Sequence, residues 1–219
     1  DYAIRFARER GLPLVLNMSY GVGNEREGAA RLDVLIDSIL AVHPEVLFVT
    51  SAGNDGPGLS TIGFPGTVRS GLSVGATYPG VFIPPDARGR PPADVLAFFS
   101  SRGGEVAKPD LVAPGYAFST VPPWEVGDEF KGGTSMAAPH VAGLGAILLS
   151  AARQSNREVS SADIRRALLA AGRPVGDGGP LDQGAGQPSL PLAWAALKAP
   201  APRHRYQVDR HGLAVSVHR

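Results

Sequence analysis

Cysteine is absent from the 219 residues, which excludes a disulfide framework, a zinc–thiolate centre and a catalytic thiol. No run of apolar residues approaches the roughly 18 that a membrane-crossing segment needs. An excess of one charge is also lacking. The 21 Lys and Arg against 20 Asp and Glu leave a net charge of +1, so neither a nucleic-acid nor a membrane partner is expected. What is present fits a folded chain: 43% hydrophobic residues, enough for a sizeable core. The 28 Gly and 20 Pro make the chain rich in turns, yet below the roughly 25–30% that marks disorder. The length suits one large domain, or one domain and a fragment. The chain opens on Asp1 with no leader pattern behind it and reads as an excised piece of something longer.

Patterning predicts an α/β fold. Asp1 to Arg10 reads as the end of a helix. Leu12 to Met18, Val46 to Thr50 and Leu72 to Thr77 are short, nearly continuous apolar runs, as expected of strands buried on both faces. Between the first two, Leu32, Leu35, Ile36, Ile39 and Leu40 form the stripe of an amphipathic helix over Ala29 to Val42. Pro44 stops it, because proline disfavours helical geometry in the residue before it. Strand, helix, strand at this spacing implies a right-handed crossover and a parallel sheet. Turns fill Pro79 to Pro92, and Val95 to Phe99 and Asp110 to Val112 read as short strands. Ala137 to Ala152 is apolar almost all round and carries Gly143 and Gly145, which predicts a central helix with close backbone contacts. Ser160 to Ala171 reads as a helix started by Ser160 and Asp163, and Pro188 to Lys198 as a last helix. Ala199 to Arg203 is linker-like, followed by an alternating tail to Arg219.

Three Gly-rich clusters sit where strands end, the place where ligands gather in open α/β sheets. They are Asn17-Met18-Ser19-Tyr20-Gly21, Ser51-Ala52-Gly53-Asn54-Asp55-Gly56 and Gly132-Gly133-Thr134-Ser135-Met136-Ala137-Ala138-Pro139-His140. Ser135 stands where a buried helix begins, among unpaired backbone N–H groups and the positive end of the helix dipole. That setting stabilises the oxyanion formed when a hydroxyl attacks a carbonyl. Taken alone, a serine before a helix is better read as an N-cap.

The wider pattern resembles the subtilisin-like serine proteases, the subtilases. Gly133 to Gly143 (GTSMAAPHVAG) resembles their nucleophile motif, Ser51 to Asn54 their oxyanion-hole segment, and Asn17 to Gly21 their substrate-flanking strand. Phe99 to Gly103, Lys108 to Gly115 and Gln183 to Gly186 are further family-like segments in the expected order, and the likeness spans roughly Leu12 to Lys198. Ser51 to Gly66 leans toward large tripeptidyl-peptidase-II-like members.

The resemblance implies a three-layer subtilisin-like α/β fold, with a mostly parallel central sheet, helices on both faces and its N-terminal part missing. Residues 1–199 would be the C-terminal two-thirds of a catalytic domain, and 200–219 a linker with the possible start of a further domain. It implies Ser135 as nucleophile and Asn54 as a side-chain donor to the oxyanion. Ser19, Tyr20, Gly21, Ser51, Ala52 and Gly53 would flank a peptide or protein substrate. It also favours secretion, although composition leaves the compartment open. No ligand set for a metal and no cofactor can be matched.

The family's Asp-Thr/Ser-Gly and His-Gly-Thr-His motifs occur nowhere in the chain, so the general base and its carboxylate are expected upstream of residue 1. The missing N-terminal part is thus an expected partner, and these 219 residues alone are expected to be inactive. A subtilase-fold binding or structural module is the alternative. Local substitutes do not serve: His140 lies on the same helix as Ser135 and turned away from it, His43 ends a helix, and His204, His211 and His218 lie in the tail. Gly21-Val22-Gly23 is not a dinucleotide fingerprint, since position 26 is Arg26 rather than glycine. The hydrolase elbow fails at Ala137, where glycine is required.

Overall fold

The computed structural model describes residues 2–23, 26–90, 92–120, 124, 128–199, 207–211 and 214–218. In chain order the elements begin α1 (Tyr2–Glu9), β1 (Leu14–Met18), α2 (Arg31–Val42), β2 (Val46–Ser51), β3 (Leu72–Tyr78), β4 (Val95–Leu96) and β5 (Leu111–Pro114). There follow the ribbon β6 (Tyr116–Thr120) and β7 (Asp128–Gly132), then α3 (Thr134–Gln154), α4 (Ser161–Ala170), β8 (Gly172–Arg173) and α5 (Pro180–Gln183). The chain ends with β9 (Gln187–Pro188), α6 (Leu190–Lys198), β10 (Gln207–His211) and β11 (Ala214–His218).

The expected parallel sheet forms. β1, β2, β3 and β5 run parallel, with Leu14 opposite Val46, Val49 opposite Leu72 and Val74 opposite Leu111. Short β4 pairs antiparallel with the end of β3, beyond the point where β2 leaves it. All of β2 is buried. Its alternate residues Leu47 and Val49 join Leu72, Val74, Ala76, Leu111 and Ala113 in one core with Ala137, Val141 and Leu148 of α3. Val46 and Phe48, also buried, lie outside that cluster, because side chains one apart on a strand face opposite ways. Gly145 is where α3 meets the sheet, since a Cβ there would lie 2.4 Å from Leu47 Cδ2. α4 begins as its sequence says. Ser160 Oγ accepts from Asp163 N–H at 3.1 Å, and Asp163 Oδ2 accepts from Ser160 N–H at 3.0 Å. The Ser160 hydroxyl, which donates to Asp163 Oδ2 at 2.7 Å, and then that Ser160 N–H hold the Asp163 carboxyl below the usual carboxylate range.

Several expectations are corrected. β1 starts at Leu14 and is only half-buried, because β2 is its one strand partner among the described residues. The α2 stripe does not reach the core: Leu32 and Leu35 are 51% and 53% exposed, and the buried residue of the helix is Asp33. It is held by Thr67 Oγ1, which donates to Asp33 Oδ1 at 2.7 Å. α3 is buried along one side only. Gly143 has open space around it and Ile147 is 51% exposed. Its 21 residues include an 18-residue stretch with a mean hydropathy of 1.4 and are long and apolar enough by composition to cross a membrane, but its buried side packs on β2 and β3 in the core. The strand expected over Val95 to Phe99 shortens to β4, and the one over Asp110 to Val112 shifts to Leu111–Pro114. The β6–β7 ribbon was not foreseen. Of the linker expected over Ala199 to Arg203, residues 200–203 lie outside the described residues, while β10 and β11 pair antiparallel further along the chain.

Candidate active site

Three segments meet beside the N-terminus of α3: the end of β1, the end of β2 and the turn into the helix. Hydrogen bonds tie them together. Asn17 Nδ2 donates to Ser19 Oγ at 3.0 Å, and Ser19 Oγ donates to Ser135 O at 2.9 Å. Ser51 Oγ donates to Tyr20 O at 3.2 Å. Between them lies a cleft of about 380 Å³ with Asn54 and Ser135 on its wall. Ser19, Tyr20, Gly21, Ser51 and Gly53 also line it. Ala52 does not: it is 1% exposed, with its N–H bonded to Val74 O at 3.0 Å, so it supports the cleft from beneath.

Ser135 follows Gly133, the residue before α3, whose φ of 154° suits glycine. The Gly133 N–H is bonded to Gly115 O at 2.8 Å at the base of the ribbon. As second residue of the helix, Ser135 has no carbonyl four residues back within α3 to receive its N–H. Its hydroxyl is therefore offered at the positive end of the helix, partly exposed to the cleft.

Asn54 is oriented by Thr134. Asn54 Oδ1 accepts from Thr134 N–H and from Thr134 Oγ1–H, both at 2.9 Å. A backbone N–H can only donate, so the carboxamide atom facing it must be the oxygen. The Nδ2 group is left on the other arm of the amide, with its two N–H donors uncommitted to Thr134. A Cβ on Gly133 would sit 3.5 Å from that nitrogen, in ordinary van der Waals contact. Thr134 Oγ1 also accepts from Gly53 N–H at 3.2 Å, joining the β2 turn to α3 through one hydroxyl. Beneath the turn, Ser101 Oγ accepts from Asp55 N–H at 3.1 Å. Gly53, at φ 113°, has no room for a side chain, since its Cβ would come 2.7 Å from that same Oγ. A hydroxyl, a rigidly held neutral amide and a helix N-terminus on one cleft can together receive a developing oxyanion.

No histidine lines this cleft among the described residues. His140 is exposed with Nδ1 bonded to Met136 O at 2.9 Å, and His43 Nδ1 lies 3.0 Å from Arg8. The side chains of His204, His211 and His218 lie outside the described residues. Asp110 is held elsewhere, by Ser73 N–H at 2.7 Å, Arg165 at 3.0 Å and the Lys108 ammonium. A larger opening of about 590 Å³, between α2 and Arg69, has no histidine among its described lining residues; its Ser38 hydroxyl donates to Val34 O at 2.7 Å, and its Asp37 carboxylate accepts from Ser70 N–H at 2.8 Å. Sequence reasoning missed Thr134 and Ser101 as organisers of the site. Both stand inside quoted motifs, but nothing local distinguishes a bridging hydroxyl from an ordinary cap.

The comparisons identify the family. The subtilase family model matches residues 3–186. Pyrolysin of Pyrococcus furiosus is 37% identical over 215 residues, covering 84% of this chain and 15% of its own length. Tripeptidyl-peptidase 2 of Drosophila melanogaster is 33% identical over 207 residues, covering 89% of this chain and 14% of its own. Among solved structures, the prenylagaramide maturation protease PagA superposes with a TM-score of 0.70 at 25% identity, over 90% of this chain and 66% of that one. The chain thus spans about a seventh of the length of these two curated relatives.

Proposed function

The chain belongs to the subtilase family of serine peptidases, and we propose that it carries the nucleophile and oxyanion portion of a peptide-hydrolysing site. In this reading Ser135 attacks the scissile carbonyl and forms an acyl-enzyme, which water then releases. Asn54 Nδ2 and the N–H groups at the start of α3 receive the oxyanion. The observation that carries the proposal is the double hydrogen bond from Thr134 to Asn54 Oδ1, which orients a neutral donor before reaction. An extended peptide lies between Ser19-Tyr20-Gly21 and the Ser51–Gly53 turn, adding as a strand.

The histidine that takes the Ser135 proton, and its aspartate, come from polypeptide outside residues 1–219. Two features leave room for such a segment: the edge of β1 that β2 does not cover and the exposed Gly143–Ile147 side of α3. Residues 1–199 form part of the catalytic domain, and 200–219 a linker and the start of a further unit. That no histidine lines the cleft among the described residues supports a second reading, a binding module on the subtilase fold. The test is labelling of Ser135 by a fluorophosphonate probe in the full-length polypeptide that carries this chain. Labelling abolished by Ser135→Ala is expected there, with neither labelling nor peptide cleavage by residues 1–219 alone. Full-length protein that is folded yet unlabelled refutes the peptidase reading and leaves the binding module. Ordinary turnover by the 219 residues alone refutes the external base.

A further inference from the structure

Glu27 is a buried carboxyl that the chemistry above does not use. It is 7% exposed and does not itself line the cleft, yet it stands where three segments meet. Its own segment leads back to Tyr20, Gly21 and Val22, which line the cleft. The second is Ile62-Gly63-Phe64: Gly63 lines the cleft, and the Ile62 N–H faces the carboxylate. The third is Glu105-Val106, where Val106 N–H donates to Glu27 Oε2 at 3.3 Å and the Glu105 N–H also faces the carboxylate.

The junction is closed by backbone on all sides. Val22 N–H donates to Phe64 O at 3.0 Å, and a Cβ on Gly63 would strike Val22 O at 2.2 Å. Thr61 N–H donates to Arg102 O at 3.0 Å and Ser60 N–H to Gly103 O at 3.1 Å. A Cβ on Gly28 would meet Val106 Cγ1 at 2.9 Å. Glu27 Oε1 has no hydrogen-bond partner among the described residues. Of the charged groups on the packed segments, Glu105 sets a like charge against it. Asp33 is engaged by Thr67 Oγ1 and Lys108 by Asp110. Arg69 Nε would lie 3.6 Å from a Cβ on Gly28, and Arg26 precedes Glu27 in the chain.

We infer that Glu27 is a positioning residue for the substrate: its carboxyl pins the Val22–Gly63 wall of the cleft to the loop at Val106. This rests on the reading of that cleft as the peptide site. A neutral carboxyl suits the junction, whereas an ionised one, buried beside Glu105, draws in water and parts the segments. Burial pushes the Glu27 carboxyl above its ordinary range, so the wall is held at low pH and released as pH rises through the raised value. Asn54 is fixed by Thr134 at the start of α3, not by Glu27. Release of the wall therefore weakens ground-state and transition-state binding alike, and it shows in KM rather than kcat.

The experiment measures KM and kcat of the full-length polypeptide from mildly acid to mildly alkaline pH, well below its melting temperature. The substrate is a capped peptide without ionisable side chains. Wild-type KM should climb by about three- to tenfold, the equivalent of one lost hydrogen bond. Glu27→Gln keeps an acceptor for Val106 N–H without the charge and should hold KM at its low-pH value throughout. Glu27→Ala removes the pin and should raise KM at every pH; if it does not fold, wild type against Gln decides. The external histidine titrates in both of these, so their difference isolates Glu27. Fluorescence anisotropy of the same peptide on Ser135→Ala protein, with Glu or Gln at 27, should repeat the trend in Kd. Identical KM profiles for wild type and Glu27→Gln overturn the inference, making Glu27 a purely structural group, while the peptidase reading stands. A difference confined to kcat overturns it as well. Wild type that neither cleaves nor is labelled at Ser135 overturns the peptidase reading; anisotropy then tests the wall alone, and equal Kd trends with Glu and Gln overturn the inference too.

Discussion

Thr134→Val tests whether the two halves of the site are one unit. Thr134 is fully buried, so valine keeps the shape and deletes only the hydroxyl. Two bonds go with it: the donation to Asn54 Oδ1 at 2.9 Å and the acceptance from Gly53 N–H at 3.2 Å. The first costs about 0.5–1.5 kcal/mol, because Asn54 keeps its bond to the Thr134 N–H. The second leaves a backbone donor with no partner beside a buried methyl group, at about 1–3 kcal/mol. Together they predict a loss of about 2–4 kcal/mol, which lowers the melting temperature of a domain this size by about 2–4 °C per kcal/mol. A carboxamide held by one bond instead of two also wanders from the productive angle. A further loss of about tenfold in kcat is expected, equivalent to about 1.4 kcal/mol of transition-state stabilisation. Thr134→Ser retains the hydroxyl and should restore most of kcat while still losing the methyl packing. The assays are calorimetric melting and steady-state hydrolysis by the full-length polypeptide. A valine variant that melts and turns over like wild type refutes the bridge.

Asn54→Ala removes the side-chain donor outright and should lower kcat by about 10²–10³ with little change in KM, measured by steady-state kinetics; unchanged kcat rejects the oxyanion role. Lys108→Met withdraws a nearly buried ammonium from Asp110 and from Gly71 O, which it reaches at 2.8 Å. With Arg165 still beside Asp110, a loss of about 3 kcal/mol in urea unfolding is expected, whereas Arg165→Ala, at a half-exposed position, should cost about 1 kcal/mol or less. Glu27 supplies the pH dependence. It is buried, Oε2 accepts from Val106 N–H at 3.3 Å, and Oε1 has no hydrogen-bond partner among the described residues. Burial pushes its carboxyl above the ordinary range, so the folded state holds that proton more tightly than the unfolded one. Its contribution is full below the ordinary carboxylate pKa and is lost as pH rises through the raised one. Glu27→Gln should flatten that decline in a series of melts across pH, and an unaltered slope refutes the assignment.

Where structure was legible in the sequence, the cause was local. The start of α4 needs only Ser160 and Asp163 to bond each other, so the S-x-x-D spacing carried it. β2 and β3 are covered on both faces, and their unbroken apolar runs record that burial directly. The ribbon β6–β7 failed because its pairing sets Phe118 opposite Phe130 across a stretch of sequence that no apolar period spans. Its signal was an alternation, Tyr116 and Phe118 on one face with Phe130 stacked on Tyr116 at 5.7 Å, too short to outweigh the polar residues around it. α2, α3 and β1 failed differently. Their apolar patterns correctly marked surfaces that favour burial, but a pattern does not contain its cover. Leu35 and Ile147 thus stand exposed with helix-core periodicity intact.

The same distinction explains the site. Ser135 and Asn54 were legible as a pair through the family resemblance of their motifs, whose glycines have backbone reasons: Gly53 at positive φ over Ser101, and Gly133 beside the Asn54 amide. What joins them was not, because a hydrogen bond between residues 54 and 134 is a property of how two elements cross, not of either segment. Yet that crossing turns an amide into a directed donor. A carboxamide free to rotate offers oxygen as readily as nitrogen to the cleft, and an oxygen there would repel the charge that the proposed attack by Ser135 creates. By engaging Oδ1 from both its N–H and its hydroxyl, Thr134 removes that choice before any substrate arrives, so the polarity of the cleft is set by a residue that need not touch the substrate.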